Sequence, residues 1–246
     1  MNRIITFKSK HTSPGSGLGY FFSSAYSFAT AANFTLSFSI LLTFLFPSGA
    51  LANDSGKILI LGDSISAGYG IPEGKGWVSL LQKQLDKNRA EQTQGTLQII
   101  NNSISGDTTA GGLARLPRAL EEIQPKWVVI ALGGNDGLRG QSIAAMKSNL
   151  SKMILLCHEQ GAKPLLLGMK LPPNYGKHYT QQFEQVYVNV SLESNTPLLP
   201  FFIEGIGGKT NYMQADRIHP NTLAQSIIRD NVWQFLAPIL QLHQQD

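Results

Sequence analysis

Residues 57–64 read KILILGDS, an apolar run from Lys57 to Leu61 that stops at Gly62, Asp63 and Ser64. An unbroken apolar run, as opposed to alternation, marks a strand covered on both faces. The same device recurs along the chain as Leu97 to Ile100 (LQII), Trp127 to Leu132 (WVVIAL) and Pro164 to Leu167 (PLLL). Pro197 to Phe202 (PLLPFF) is a weaker fifth run, because Pro200 has no N–H to give to a ladder and belongs at an edge or in a loop.

Helical patterns fill the intervals. Trp77 to Arg89 follows a glycine-rich loop, and Ile143, Met146, Leu150, Ile154 and Cys157 recur at three- and four-residue spacing. Phe183, Val186 and Val190 repeat that spacing, and Pro220 suits the first turn of a last helix. Strands alternating with helices predict a parallel sheet with helices on both faces. In such folds ligand sites lie beyond the carboxyl ends of the strands, so the chemistry is expected just after each run.

The full chain has 246 residues and a formal charge of +4. Its hydrophobic share of 42% allows a packed core and excludes whole-chain disorder. A single cysteine excludes an intramolecular disulfide framework and a multi-cysteine zinc site. The charge is uneven: residues 1–52 hold Arg3, Lys8 and Lys10 and no acid, and from Asn53 onward 17 basic residues face 16 acidic ones. Phe34 to Phe46 is an apolar stretch of signal-peptide length, shorter than the ~20 residues of a membrane-spanning helix. Pro47 and Gly49 break it, and Ala50-Leu51-Ala52 supplies the small-x-small pattern of a cleavage site. The expectation is an exported protein whose leader, 1–52, is removed after Ala52, leaving one domain over 53–246 and no stable membrane anchor. An uncleaved anchor is the competing reading. A nearly neutral mature domain gives no basis for a nucleic-acid partner.

The residues beyond the runs can be assembled into one machine. Ser64 stands past the first strand, its hydroxyl exposed and its N–H near the positive end of a helix; the segment reads equally as an Asp/Ser cap. After the second run, Gly106 in SGDT allows close backbone approach and offers an N–H to an anion, or is simply a loop glycine. After the third, Asn135 in GGNDG has an amide that can donate to developing negative charge, or makes a turn. Asp216 and His219 are three apart, so the carboxylate can accept from Nδ1–H and leave Nε2 to take a serine proton; a surface turn before a helix is the alternative. Each piece alone is weak. Together they supply the separate parts of an acyl-transfer site.

Taken in order, these segments resemble the blocks of the GDSL, or SGNH, hydrolase family, with its four letters on Ser64, Gly106, Asn135 and His219. The resemblance runs over roughly residues 57–240, most closely to the bacterial periplasmic branch that acts on thioesters, lysophospholipids and aryl esters. It includes residues 105–108 (SGDT), 112–117 (GLARLP), 132–140 (LGGNDGLRG), 171–176 (LPPNYG), 197–202 (PLLPFF) and 216–221 (DRIHPN). It implies a flavodoxin-like three-layer α/β/α fold around a five-stranded parallel sheet. It implies a Ser64–His219–Asp216 triad and an oxyanion hole from the Ser64 and Gly106 N–H groups and the Asn135 amide. It also implies a groove drawn from Gly137, Leu138, Leu171, Pro172 and Tyr175, in which Gly137 and Gly140 let the segment after Asn135 move. The implied substrate is a small-molecule or lipid acyl ester, the implied enzyme is a monomer, and no cofactor or metal is implied. A carbohydrate acetylesterase on the same fold, or a binding protein that has lost catalysis, are the alternatives. There are two departures: Arg217 fills a variable position between Asp216 and His219, and Pro173 stands where a smaller residue is expected and is expected to stiffen the Leu171–Gly176 loop.

Other reactive side chains are read as structural. Cys157 lies on an apolar helical stripe and is expected to be buried and inert. Asp63 and Asp136 are expected to brace turns. His158 has no ligand partner at helical spacing, His178 is expected in solvent beside the 171–176 loop, and His243 lies in the tail. Residues 68–76 (GYGIPEGKG) lack the spacing of a phosphate loop.

Overall fold

The computed structural model describes residues 56–92 and 96–241. Strands β1 (Gly56–Gly62), β2 (Leu97–Asn101), β3 (Trp127–Ala131), β4 (Lys163–Leu167) and β5 (Leu198–Leu199) form one sheet in the order β2-β1-β3-β4-β5. Every pairing is parallel, with Ile58 opposite Ile99 and Ile60 opposite Val129. Ile58 to Leu61 and Val128 to Ile130 are wholly buried, successive side chains included, so both sheet faces are covered. Burial of each such aliphatic side chain contributes roughly 1.5–3 kcal/mol relative to exposure.

The covering helices fall into two groups. Helix α2 (Trp77–Gln92) packs with α7 (Gln225–Ile239), while α3 (Thr109–Ile123), α5 (Ile143–Glu159) and α6 (Lys177–Ser194) pack in a row. The stripe at Met146, Leu150, Ile154 and Cys157 is the buried face of α5, and Phe183, Val186 and Val190 that of α6. Two short helices, α1 (Ser64–Ala67) and α4 (Gly134–Leu138), follow β1 and β3 at the carboxyl edge of the sheet. This is the α/β architecture expected from the apolar runs.

The structure departs from the sequence pattern in three places. β5 has two residues: it ends before Pro200, and the chain then folds back so that the Phe202 N–H donates to the Gly168 carbonyl at 3.2 Å. Pro220 does not open the last helix. It bridges Met213 in an antiparallel pair, Asn221 caps a 3-10 turn (Thr222–Ala224), and α7 begins at Gln225. The sequence reading assigns no helix to α3, where Gly111, Gly112 and Pro117 are poor helix residues, yet Gly112, Leu116, Ala119 and Leu120 form one buried face. The glycines are required by packing there: a Cβ on Gly112 would stand 2.2 Å from Leu132 Cδ1.

The described residues belong to one compact unit, Pro47–Asp246. The leader expected over 1–52, its cleavage after Ala52, and His243 lie outside the described residues.

Candidate active site

The site is assembled from the segments that leave the carboxyl ends of the strands. Gly62 ends β1 where a Cβ would come within 2.7 Å of Ser66 Oγ and 2.9 Å of Ser103 Oγ, so only glycine lets the chain turn there. Asp63 caps α1, its Oδ1 accepting the Ile65 N–H at 3.1 Å, and Ser64 is the first residue of that helix. Burial pushes the Asp63 carboxyl up to about 6, against the smaller opposing effects of the Ile65 hydrogen bond and the His219 charge.

The last loop brings up the opposite wall. Asp216 Oδ1 accepts the backbone N–H groups of Ile218 (2.9 Å) and His219 (3.0 Å), closing a tight turn in which Arg217 has φ +60°. Its other oxygen, Oδ2, meets His219 Nδ1 at 2.6 Å, and His219 Nε2 lies 2.9 Å from Ser64 Oγ. Partial desolvation pulls the Asp216 carboxyl up, but the hydrogen bonds from the His219 backbone, the His219 ring and the Ile218 backbone outweigh it and hold the carboxyl near 2. The loop is tied to the serine segment: Gln214 Nε2 donates to Tyr69 O at 2.8 Å, and the Tyr69 ring lies 4.6 Å from the His219 ring at a 43° tilt.

The segment after β3 turns at Gly133, whose φ of +116° and missing Cβ leave room for the Tyr187 hydroxyl. That hydroxyl donates to Leu132 O at 2.9 Å. Asn135 follows in the first turn of α4. Its Nδ2 donates to Asp107 O at 2.9 Å and lies 3.4 Å from Asp63 Oδ2, a long contact. Gly106 has φ +81° and gives its carbonyl to Arg139 Nη2 at 2.9 Å. Among the described residues the N–H groups of Ser64 and Gly106 have no hydrogen-bond acceptor.

A cavity of about 520 Å³ opens over Ser64, Asn135 and His219. Leu138, Met169, Leu171, Pro172, Phe201, Ile203, Met213 and Ile218 make its walls predominantly apolar, with Lys170 and Arg217 as the cations among its lining residues. Four expected site residues are not part of that lining: Asp216, which stands behind the His219 ring, and Gly106, Gly137 and Tyr175. Gly137 is buried in α4, where a Cβ would come within 2.6 Å of Phe183 Cε2 and 2.7 Å of Leu171 Cδ2, so it is a packing residue. Tyr175 stands behind the wall, and its hydroxyl donates to Leu138 O at 3.1 Å, fixing the rim indirectly. Gly106 is linked to Asn135 through the carbonyl of its neighbour Asp107. Gly140, at φ +62° with open space around it, is the glycine that retains conformational freedom after α4.

Sequence reasoning assigned no role to Arg115, which nevertheless organises the floor. Its guanidinium donates to Asp107 Oδ2 (2.8 Å), to Asn102 O (2.6 Å) and Asn102 Oδ1, and to Gly62 O (3.3 Å), joining the ends of β1 and β2. Asp136 is buried and accepts from the Thr109 N–H (2.9 Å) and Oγ1 (2.5 Å), anchoring α3 to α4. Asp63, as the cap of α1, and Asp136, between α3 and α4, therefore both have the bracing role their positions suggested. Cys157 is wholly buried, and desolvation pushes its thiol up to about 12. Met169, Phe201, Ile203 and Met213 also escaped the sequence reading. Met169 and Ile203 lie where the strand-end rule points, two residues past Leu167 and one past Phe202, whereas Phe201 belongs to the fifth run itself and Met213 is held in the last loop by its bridge to Pro220.

Residues 60–227 match the GDSL-like lipase/acylhydrolase family. The chain is 50% identical over 183 residues to the esterase TesA of Pseudomonas aeruginosa, covering 74% of this chain and 89% of that protein. It is 41% identical over 203 residues to the Escherichia coli protein named thioesterase 1/protease 1/lysophospholipase L1, covering 82% and 91%. Among solved structures it resembles the psychrotrophic esterase EstA from Pseudoalteromonas sp., determined inhibited by monoethylphosphonate, with a TM-score of 0.70 and 41% identity over 75% of this chain and 98% of that one.

Proposed function

The chain belongs to the GDSL-like lipase/acylhydrolase family and is a hydrolase of ester bonds, and from that premise we propose that it works as an exported serine esterase and thioesterase through an acyl-enzyme on Ser64. The observation that carries the reading is the unbroken chain of contacts from Ser64 Oγ to His219 Nε2 (2.9 Å) and from Nδ1 to Asp216 Oδ2 (2.6 Å).

Ser64 Oγ attacks the acyl carbon while His219 Nε2 takes its proton, and Asp216 steadies the imidazolium that forms. The carbonyl oxygen becomes an oxyanion, held by the Ser64 and Gly106 N–H groups and the Asn135 amide, which exchanges its long contact to Asp63 for the new anion. His219 returns the proton to the leaving oxygen or sulfur as the bond to it breaks. A water activated by His219 then attacks the acyl-enzyme, and Ser64 recovers its proton as the acid departs. All three triad members come from one chain, which supports a monomer as the working unit.

The apolar walls at Leu138, Leu171 and Pro172 favour an acyl chain over a sugar ring. Export rests on the leader read over 1–52, and N-terminal sequencing of the secreted product should begin at Asn53. No helix of the described residues is long and apolar enough to cross a membrane. Stopped-flow hydrolysis of p-nitrophenyl butanoate at low temperature, where turnover is slow enough to resolve the first cycle, tests the mechanism. A burst of one p-nitrophenol per active site supports the acyl-enzyme, and acyl transfer to water with no Ser64-bound intermediate under mass spectrometry contradicts it.

A further inference from the structure

Arg217 occupies a position that its backbone disfavours. Its φ of +60° lies in the left-handed region, where a Cβ meets the neighbouring carbonyl and glycine, asparagine or aspartate is usual. Nothing in the turn asks for arginine, since its N–H donates to Gln214 O at 2.9 Å, as any residue but proline could do. The side chain is exposed and lines the cavity beside His219. Among the described residues its guanidinium makes no hydrogen bond or ion pair. Asp216, next to it in the chain, has its oxygens engaged by the His219 ring and by two backbone N–H groups. Lys170, the other cation of the lining, is differently placed: its Nζ is 4.0 Å from Glu184 Oε2 and 5.3 Å from the Phe201 ring. Residues held in disfavoured backbone regions concentrate at functional sites.

We propose that Arg217 is a specificity-determining residue that binds an anionic group, carboxylate or phosphate, carried on the leaving-group side of the ester within a few bonds of the scissile oxygen. This deepens the reading of His219 as the group that protonates the leaving oxygen, and rests on it. The leaving group departs past His219, and Arg217 stands two residues away on the same turn. Leu138, Leu171 and Pro172 line the same cavity and are the apolar walls that the proposed function gives to the acyl chain. A guanidinium there can pair with two anion oxygens at once, which a neutral leaving group cannot exploit.

The test uses matched esters: p-nitrophenyl butanoate against its 3-carboxy-4-nitrophenyl analogue, and a 1-monoacylglycerol against its 3-phosphate. The readout is the ratio of kcat/KM for the anionic ester to that for the neutral one, so intrinsic reactivity cancels between enzymes. Arg217→Gln removes the charge and keeps the strained backbone, Arg217→Gly removes both, and Arg217→Lys keeps the charge. The ratio is expected to fall about tenfold in the Gln and Gly variants, chiefly through KM, and by a smaller factor of about three in the Lys variant, which keeps the charge but loses the two-pronged fork, on the scale of one charge-assisted hydrogen bond in a partly solvated site. The pair that responds identifies the anion. Ratios equal to the parent's in both the Gln and Gly variants, for both pairs, overturn the proposal. Failure of the parent to hydrolyse either neutral ester is a different result and overturns the proposed function instead.

Discussion

Asp216 holds His219 twice: Oδ2 meets the ring at Nδ1, 2.6 Å away, and Oδ1 accepts the backbone N–H of the same residue at 3.0 Å. One carboxylate thus sets both the turn and the orientation of the imidazole that faces Ser64. Asp216→Asn keeps an acceptor for the backbone but puts an N–H donor or a weaker acceptor opposite Nδ1. The variant should fold, with kcat lowered by roughly two to four orders of magnitude, because the imidazole loses its aligned tautomer and the charge that stabilises its cation. Circular dichroism with steady-state kinetics checks this. Activity within tenfold of the parent contradicts the role given to Asp216.

Asn135→Ala removes the amide that bridges Asp107 O and faces the cavity. With the fold retained, kcat should drop by about two to three orders of magnitude while KM changes little, the signature of a donor used in the transition state. A change confined to KM would assign Asn135 to ground-state binding.

The two site aspartates give opposite pH dependences of stability. Asp216 is held near 2 in the folded protein against an ordinary 3.8, so its contribution is present above 3.8 and lost as pH falls through 2. Asp63 is raised to about 6, so the folded state keeps a proton that the unfolded chain releases, and its stabilising effect is present below 3.8 and lost as pH rises through 6. The loss from Asp63 is on the order of 2–3 kcal/mol. Asp63→Asn retains an acceptor for the Ile65 N–H and abolishes that loss. Urea unfolding at pH 4 to 7 should show the variant gaining on the parent up to about pH 6.5 and then keeping pace. A difference independent of pH contradicts the burial argument.

Backbone and packing can be tested separately from chemistry. Arg217→Gly relieves a positive φ and should raise stability by about 1 kcal/mol. Gly137→Ala forces a Cβ against Phe183 and Leu171 and should lower it by about 1–3 kcal/mol. Chemical denaturation of both variants checks the signs. A stable Gly137→Ala protein with unchanged activity would show that α4 can shift as a unit.

The parallel sheet was legible because buried parallel strands need unbroken apolar runs, and β1, β3 and β4 carry such runs, while β2, at the sheet edge, is interrupted by exposed Gln98. The candidate site was legible because Ser64, Gly106 and Asn135 follow those runs, and Asp216 and His219 stand out by their three-residue spacing. What escaped detection depends on three-dimensional packing. Pro220 carries a helix-start signal, yet it is held in a bridge to Met213 and the helix waits for Gln225. Gly137 has the freedom of any glycine in sequence, but Phe183 and Leu171, 34 or more residues further along the chain, make it a packing position. Arg115 looks like a surface charge until β1 and β2 are set side by side and three carbonyl or amide oxygens converge on it.

The central claim is that Ser64 is the nucleophile, and intact-mass analysis after treatment with a fluorophosphonate tests it most directly. The account predicts a single adduct on the parent, mapped by peptide sequencing to Ser64, with esterase activity lost in step with labelling and no adduct on Ser64→Ala. A Ser64→Ala protein that still takes up the label and hydrolyses esters, or a parent that stays unlabelled while turning them over, would contradict it.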